Sequence, residues 1–301
     1  MPAHETGRGI VVGVDASSTS KAAVAWAARD AEMRNVPLRV VHVVTPLTAV
    51  AEGWSAFPTD VYAQWQDDEA RQVLEQAHKV AVEAAPAGAA QVTSEVVHAP
   101  AVPGLVDLSR DADMIVVGCR GEEGLAGALL GSVSAGVVHH AHCPVAVIHD
   151  EMAPTSTAPV VVGIDGSPTS ELATGIAFDE ASRRGVGLVA LHAWTDMTRL
   201  EFPSINWSPI EWRNVKEQEQ EVLAERLSGW RSRYPDVTVR KVVVSDRPAP
   251  RLLEQAQDAQ LVVVGSHGRG GFPGMLLGSV ARTVVHSAQV PVIVAREPYE
   301  H

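Results

Sequence analysis

Two stretches of the chain carry the same sparse pattern of glycines ending in a serine. Gly118, Gly121, Gly131 and Ser132 are spaced G-x2-G-x9-G-S, and Gly265, Gly268, Gly278 and Ser279 repeat that spacing. Glycine opens backbone angles closed to other residues and lets a ligand approach the main chain closely. The amides of such a loop form a nest for an anion. The serine then opens a helix whose first free N–H groups and positive dipole end favour phosphate. The chemistry this pattern offers is phosphate binding by backbone and hydroxyl donors. A loop followed by a serine N-cap uses the same residue types, but a long spacing written twice in one chain favours a ligand.

A carboxylate recurs as well: Asp15 in "VDASSTS" and Asp165 in "IDGSPTS". It can accept hydrogen bonds from ribose hydroxyls or hold a metal-bound water. It is also a good helix entry, since Ser167 followed by Pro168 matches an N-cap and the first helical position. Familiar nucleotide motifs do not describe the glycine loops. The chain has no Gly-Lys dipeptide and so no Walker loop, and the glycines follow a fourth strand rather than the first, unlike the dinucleotide fingerprint.

The elements that must position these residues are also written twice. "GIVVGVDASSTSKAAVAWAARDAEMRNVPLRVVHVV" aligns with "PVVVGIDGSPTSELATGIAFDEASRRGVGLVALHAW" without a gap, so that Asp15 pairs with Asp165 and His42 with His192. Further on, "DADMIVVGCRG" pairs with "DAQLVVVGSHG". Short β-branched runs such as "GIVVGVD", "LRVVHVV" and "DMIVVG" alternate with stretches of helical periodicity such as "DEARQVLEQAHKVAVEAA". Strands apolar throughout and separated by helices predict a parallel sheet covered on both faces. The expected fold is α/β, with two tandem doubly wound, five-stranded, Rossmann-like domains. The expected boundaries are residues 1–149, a linker at 150–158 and residues 159–301. Ligands of such sheets sit beyond the carboxyl ends of the strands, where both the aspartate and the glycine loop fall.

Composition narrows the function. The 301 residues are 46% hydrophobic and 20% charged, an ordinary globular balance. A formal net charge of −12 argues against a nucleic-acid surface. No apolar run reaches the ~18 residues of a membrane span, and "MPAHETGRGIVVGVD" lacks the basic start and apolar core of a signal peptide, so the expected location is the cytoplasm. Two cysteines, Cys119 and Cys143, make no disulfide framework and are expected to be buried or unreactive. "HHAHC", at 139–143, has the residue types of a metal site, but the second half keeps only His286 of it, so no metal site is expected there. Trp65 and Trp212 correspond between halves and are expected to pack helices on the sheet. Trp54 and Trp207 lie near the variable loops.

Taken together, the openings "VVGVDASS" and "VVGIDGSP", the two G-x2-G-x9-G-S loops and the endings "HCPVAVIHD" and "VPVIVAREP" resemble the universal stress protein family. The likeness covers essentially the whole chain and is greatest to tandem-domain proteins of actinobacteria, including mycobacteria. The resemblance implies ATP binding, with one site per domain and Mg²⁺ able to accompany the phosphates. In the first site it implies Val14 and Asp15 at the first strand and Val43 facing adenine. Gly118 and Gly121 then face ribose and phosphates, with Gly131, Ser132, Val133 and Ser134 at the phosphates. The second site uses Ile164, Asp165, Ala193, Gly265, Gly268, Gly278, Ser279 and Val280. Two departures bear on strength: Ala281 replaces the hydroxyl of Ser134, and Glu122 and Glu123 stand where the second loop has Arg269 and Gly270.

The resemblance further implies a homodimer, with an intrachain pseudo-dimer of the two domains through their last strands. The expected function is a nucleotide-dependent regulator of growth or survival under stress. The alternatives are a slow ATPase or phosphotransferase and a scaffold or cyclic AMP-binding protein. Beyond the two aspartates the shared motifs repeat no acid or base, so hydrolysis is expected to be slow at most.

Overall fold

A computed structural model of the chain describes residues 8–46, 59–85, 91–121, 130–149, 157–194, 209–270 and 276–297. It divides into two compact units, residues 1–151 with 296–301, and residues 152–295. In the first unit β1 (Ile10–Val14), β2 (Leu38–Val44), β3 (Val92–His98), β4 (Met114–Gly118) and β5 (Val145–Ile148) form a parallel sheet in the order β3-β2-β1-β4-β5. Helices α1 (Ser18–Arg34), α2 (Thr59–Ala84), α3 (Ala101–Leu108) and α4 (Ser132–His140) alternate with the strands. The second unit repeats the plan. Strands β6 (Val160–Gly163), β7 (Leu188–Trp194), β8 (Val239–Ser245), β9 (Leu261–Gly265) and β10 (Val292–Ala295) run parallel in the order β10-β9-β6-β7-β8. Its helices are α5 (Pro168–Arg184), α6 (Pro209–Arg233), α7 (Pro248–Ala256) and α8 (Ser279–Ser287). Each unit is the expected doubly wound, five-stranded α/β fold. Among the described residues no helix is long and apolar enough to cross a membrane.

The sequence explains this layering. β4 is buried at every position and β1 at all but Gly13, because helices cover both faces, which is why these strands read as unbroken apolar runs. β3 and β8 lie at the outer ends of these orders and carry Thr93 and Ser94, or Arg240 and Lys241, at exposed positions. Polar side chains on such strands discourage further pairing. α1 begins at Ser17, whose side chain accepts from the Ser20 amide, and stops at Asn35 in the left-handed region (φ 54°). α5 begins at Ser167 in the same way and stops at Gly185 (φ 65°). Both are serine N-caps answered by a left-handed stop.

Trp65 departs from expectation. It is 57% exposed, beside Tyr62 with ring centroids 5.8 Å apart. The inward stripe of α2 is made instead of Ala70, Leu74, Ala77 and Ala81, spaced at helical intervals and all buried. The position of Trp65 is off that stripe, so it does not pack the helix on the sheet. The side chain of Trp212, and all of Trp54 and Trp207, lie outside the described residues.

Gly118 and Gly265 end the fourth strand of each unit against the first turn of the first helix. A Cβ on Gly265 would lie 2.7 Å from Thr169 Oγ1 and 2.8 Å from the Thr169 carbonyl carbon; Gly118 meets Thr19 at the same two distances. Helix and strand approach because the side chain is missing. Both cysteines are buried, and burial pushes the Cys143 thiol up to about 12.

Gly265→Ala should lower stability by about 1–3 kcal/mol, the cost of overpacking a tight contact, read as a lower urea midpoint. Cys143 supplies a pH dependence of definite sign. The unfolded thiol loses its proton from about pH 9.0 and the folded one only near 12. Between those values the unfolded chain binds fewer protons, so stability should fall as pH rises, by up to about 1.4 kcal/mol per pH unit. Denaturant titrations of Cys143→Ala across that range should show a shallower alkaline loss than the wild type.

Candidate functional site

The two aspartates are the joints of their sites. Asp165 follows β6, and its Oδ1 accepts from both the backbone N–H (2.9 Å) and the hydroxyl (2.7 Å) of Ser167, the N-cap of α5. Its Oδ2 accepts from the Arg269 amide at 3.1 Å, in the glycine loop after β9. In the first unit Asp15 Oδ1 accepts from the Ser17 amide (3.0 Å) and hydroxyl (2.5 Å). Ser20 and Ser170 back this up, each hydroxyl accepting from its aspartate's amide at 3.0 Å.

The loop glycines answer the carboxylates. A Cβ on Gly268 would lie 2.6 Å from Asp165 Oδ2, and one on Gly121 would lie 2.9 Å from Asp15 Oδ2. Bare backbone is therefore needed here so that the loop can close over the carboxylate. A second tie fixes the loop from the other side. Thr169 donates to the His267 carbonyl at 2.6 Å, Thr19 donates to the Arg120 carbonyl, and the Ser167 hydroxyl lies 3.2 Å from the same His267 oxygen.

The far end of each loop re-enters structure at Gly131 and Gly278. The Gly278 amide bonds the Ser266 carbonyl and the Gly131 amide that of Cys119, both at 2.7 Å. Each glycine is the extended N-cap of the next helix, α4 or α8, and neither helix has a side-chain cap. Their first-turn N–H groups thus keep the capacity for an anion that helix starts offer. Ser132 and Ser279 are exposed at those starts, with Val133 and Val280 half-buried behind them. Ser134 turns inward, its buried hydroxyl donating to the Gly118 carbonyl at 2.5 Å. The proton expected to face phosphate is engaged there, so Ala281, buried in the second unit, does not subtract a donor from the mouth.

In the second unit these pieces surround a cavity of about 490 Å³ over the carboxyl ends of β9, β6 and β7. The structure brings together all eight residues expected for this site: Ile164, Asp165, Ala193, Gly265, Gly268, Gly278, Ser279 and Val280. A volume of this size is typical of a small-molecule site. In the first unit Val14 is buried and Val43 half-buried. The Val14 carbonyl receives His42 Nδ1 at 2.8 Å, as Ile164 receives His192 Nδ1 at 2.6 Å. Glu122 and Glu123 lie outside the described residues.

Sequence reasoning passed over the threonines and second serines, although "DASSTS" and "DGSPTS" repeat Thr-Ser at the same places as the aspartates. Their recurrence was the available signal. Trp194, Glu219, Pro248 and Leu252 also line the second cavity, and of these only Leu252 has its own kind, Leu105, at the corresponding place of the first half. Among the described residues no group of three or more His, Cys, Asp or Glu is placed to hold a metal ion.

Comparison with known proteins agrees with this architecture. The model of the universal stress protein family matches residues 8–149 and again 157–296. The chain is 62% identical to Universal stress protein Rv1996 of Mycobacterium tuberculosis, covering 100% of this chain and 98% of that protein. It is 52% identical to Universal stress protein Rv2623 of the same organism, covering 99% of each. Among solved structures, a universal stress protein from Archaeoglobus fulgidus superposes with a TM-score of 0.71 at 22% identity, over 96% of this chain and 98% of that one.

The joint at Asp165 predicts a separable effect. Asp165→Asn keeps an oxygen for Ser167 but turns an NH₂ toward the Arg269 amide, placing donor against donor. Amide exchange at Arg269 should quicken while the first turn of α5 stays protected, as read by hydrogen exchange with residue resolution. Asp165→Ala should expose both and cost about 1–3 kcal/mol, the range for leaving such partners unsatisfied.

Proposed function

Because the chain belongs to the universal stress protein family, we propose that it binds ATP, one molecule in each half, and that nucleotide state modulates growth or survival under stress. The observation that carries this reading is the convergence of the glycine-loop backbone, the uncapped start of α8 and Ser279 on one cavity. The amide of Gly268, the first-turn N–H groups of α8 that follow Gly278 and the Ser279 hydroxyl would hold the phosphates. Ala193, at the end of β7, would meet the base, with Ile164 and Asp165 between the two. Gly118 is close to the first helix, while Gly121, Gly131, Ser132, Val133, Val14, Asp15 and Val43 supply the corresponding surfaces of the first half. Mg²⁺ bound with the nucleotide would neutralise phosphate charge. The protein acts in the cytoplasm in this reading, as a homodimer.

ATP is held here as a signal rather than consumed. Rapid hydrolysis needs a positioned water, a general base and cations on the transferred phosphoryl group. The one carboxylate repeated at both mouths is committed to Ser167 and the loop amide in the second half. That supports a positioning role for it rather than proton abstraction.

Calorimetry on nucleotide-free protein should give two ATP per chain, and absence of binding by folded protein would remove the proposal. Gly268→Val and Gly121→Val should each remove one site, because the new side chain displaces the aspartate. Turnover should fall far below the ~1–10³ s⁻¹ of typical enzymes. A rate above about one per second, lost in an Asp165→Ala variant that still binds ATP, would make the protein an enzyme instead.

A further inference from the structure

The two halves differ in the helix that follows their second strand. Aligning the buried leucines Leu74 of α2 and Leu223 of α6 places the fully buried Ala70 opposite Glu219. Glu219 lines the second cavity and is held from below by His192. His192 is buried, with Nδ1 2.6 Å from the Ile164 carbonyl and Nε2 2.9 Å from Glu219 Oε2. Two bonds on opposite sides of the ring fix the imidazole, and the imidazole fixes the carboxylate. The Glu219 side chain is 29% accessible. Its Oε1 has no hydrogen-bond partner among the described residues, so it retains acceptor capacity at the wall of the cavity. His42, the counterpart in the first half, bonds the Val14 carbonyl but has no acidic partner among the described residues.

The position of this carboxylate determines what it can read. The glycine loop rises from β9, whereas His192 lies on β7, and β6 separates the two strands. Neighbouring strands are about 4.8 Å apart, so the strand that ends in the loop and the strand that carries His192 lie roughly 10 Å apart. Phosphates on the loop therefore put the other end of the ligand, its nucleoside, toward Glu219, Ala193 and Trp194. The carboxyl oxygen that His192 does not engage is an acceptor. It rewards a nucleoside that presents a donor there, either the exocyclic amine of the base or a ribose hydroxyl, and penalises one that presents a carbonyl oxygen.

We propose that Glu219, positioned by His192, is a nucleoside-recognition residue of the second site, and that it makes the two sites of the chain unequal in selectivity. This rests on the nucleotide-binding reading above. The first half, with alanine at that place, has no such acceptor among the described residues and is the permissive site.

Calorimetry with ATP, 2′-deoxy-ATP and inosine triphosphate, in a Gly121→Val background that leaves the second site, tests it. One of the two analogues should bind about tenfold more weakly than ATP, the value of a hydrogen bond to a charged acceptor. A deficit for inosine triphosphate assigns the amine as the donor, and one for 2′-deoxy-ATP assigns the 2′-hydroxyl. Glu219→Ala should erase that discrimination, and Glu219→Gln, whose NH₂ can donate to His192 Nε2 while its carbonyl oxygen faces the cavity, should restore part of it. A merely structural role would weaken all three nucleotides alike. Equal losses in Glu219→Ala, or unchanged discrimination, would overturn the proposal while leaving ATP binding intact. If the folded wild type binds no ATP, the nucleotide reading itself fails and this inference falls with it.

Discussion

A carboxylate at the carboxyl end of the first strand holds each mouth together. In the second unit Asp165 joins three pieces of backbone: the exit of β6, the N-cap of α5 two residues on, and the loop after β9, 104 residues away in sequence. One charged acceptor satisfies donors from two of them, and bonds to ionised acceptors are stronger than neutral ones. The glycine of the loop lies against the carboxylate because nothing larger fits, and the threonine of the helix start grips the loop carbonyl. Loop, helix start and strand end thus share one network. A ligand on the loop would feel any change at the aspartate.

That network is also the reason the two readings of the aspartate, helix entry and ligand contact, are not exclusive. By capping α5 through Ser167 it fixes the first turn, and by accepting from the loop it fixes the amides that face the cavity. The positive ends of two helices are arranged around it. The start of α5 is answered by protein groups, while the start of α8 has no side-chain cap and opens on the cavity.

The duplicated scaffold then diverges along one helix face. Where α2 presents Ala70 and Ala77, α6 presents Glu219 and Arg226 at the positions aligned through Leu74 and Leu223. The guanidinium of Arg226 occupies the space where a Cβ on residue 166 would stand, with Nη1 1.6 Å from that point, and residue 166 is a glycine at φ 81°. The first half has Ala16 there. A methyl group in one half and a guanidinium in the other are alternative fillings of one place, so the exchange of Ala16 for Gly166 belongs with the exchange of Ala77 for Arg226. Charged groups enter the second half on this helix face, Glu219 at the cavity wall and Arg226 against Gly166, while the strand order beneath is the same.

The sequence by itself determined the repeat, the alternation of strands and helices, and the glycine and aspartate positions. Those depend on local periodicity and on residue types that nothing else replaces, such as glycine where a Cβ would strike a carboxylate. It also marked the cap at Ser167, because capping acts over three residues. Tertiary structure decided which way side chains with two plausible partners turn. Ser134 gives its proton to Gly118 instead of the mouth, and Trp65 lies off the small-residue stripe that packs α2. It also decided that Glu219, on a helix with no repeated motif, reaches His192 and the cavity wall. The physical reason is range: capping and periodicity act between near neighbours in sequence, whereas the wall of a cavity is assembled from strands and helices that only folding brings within a hydrogen bond of one another.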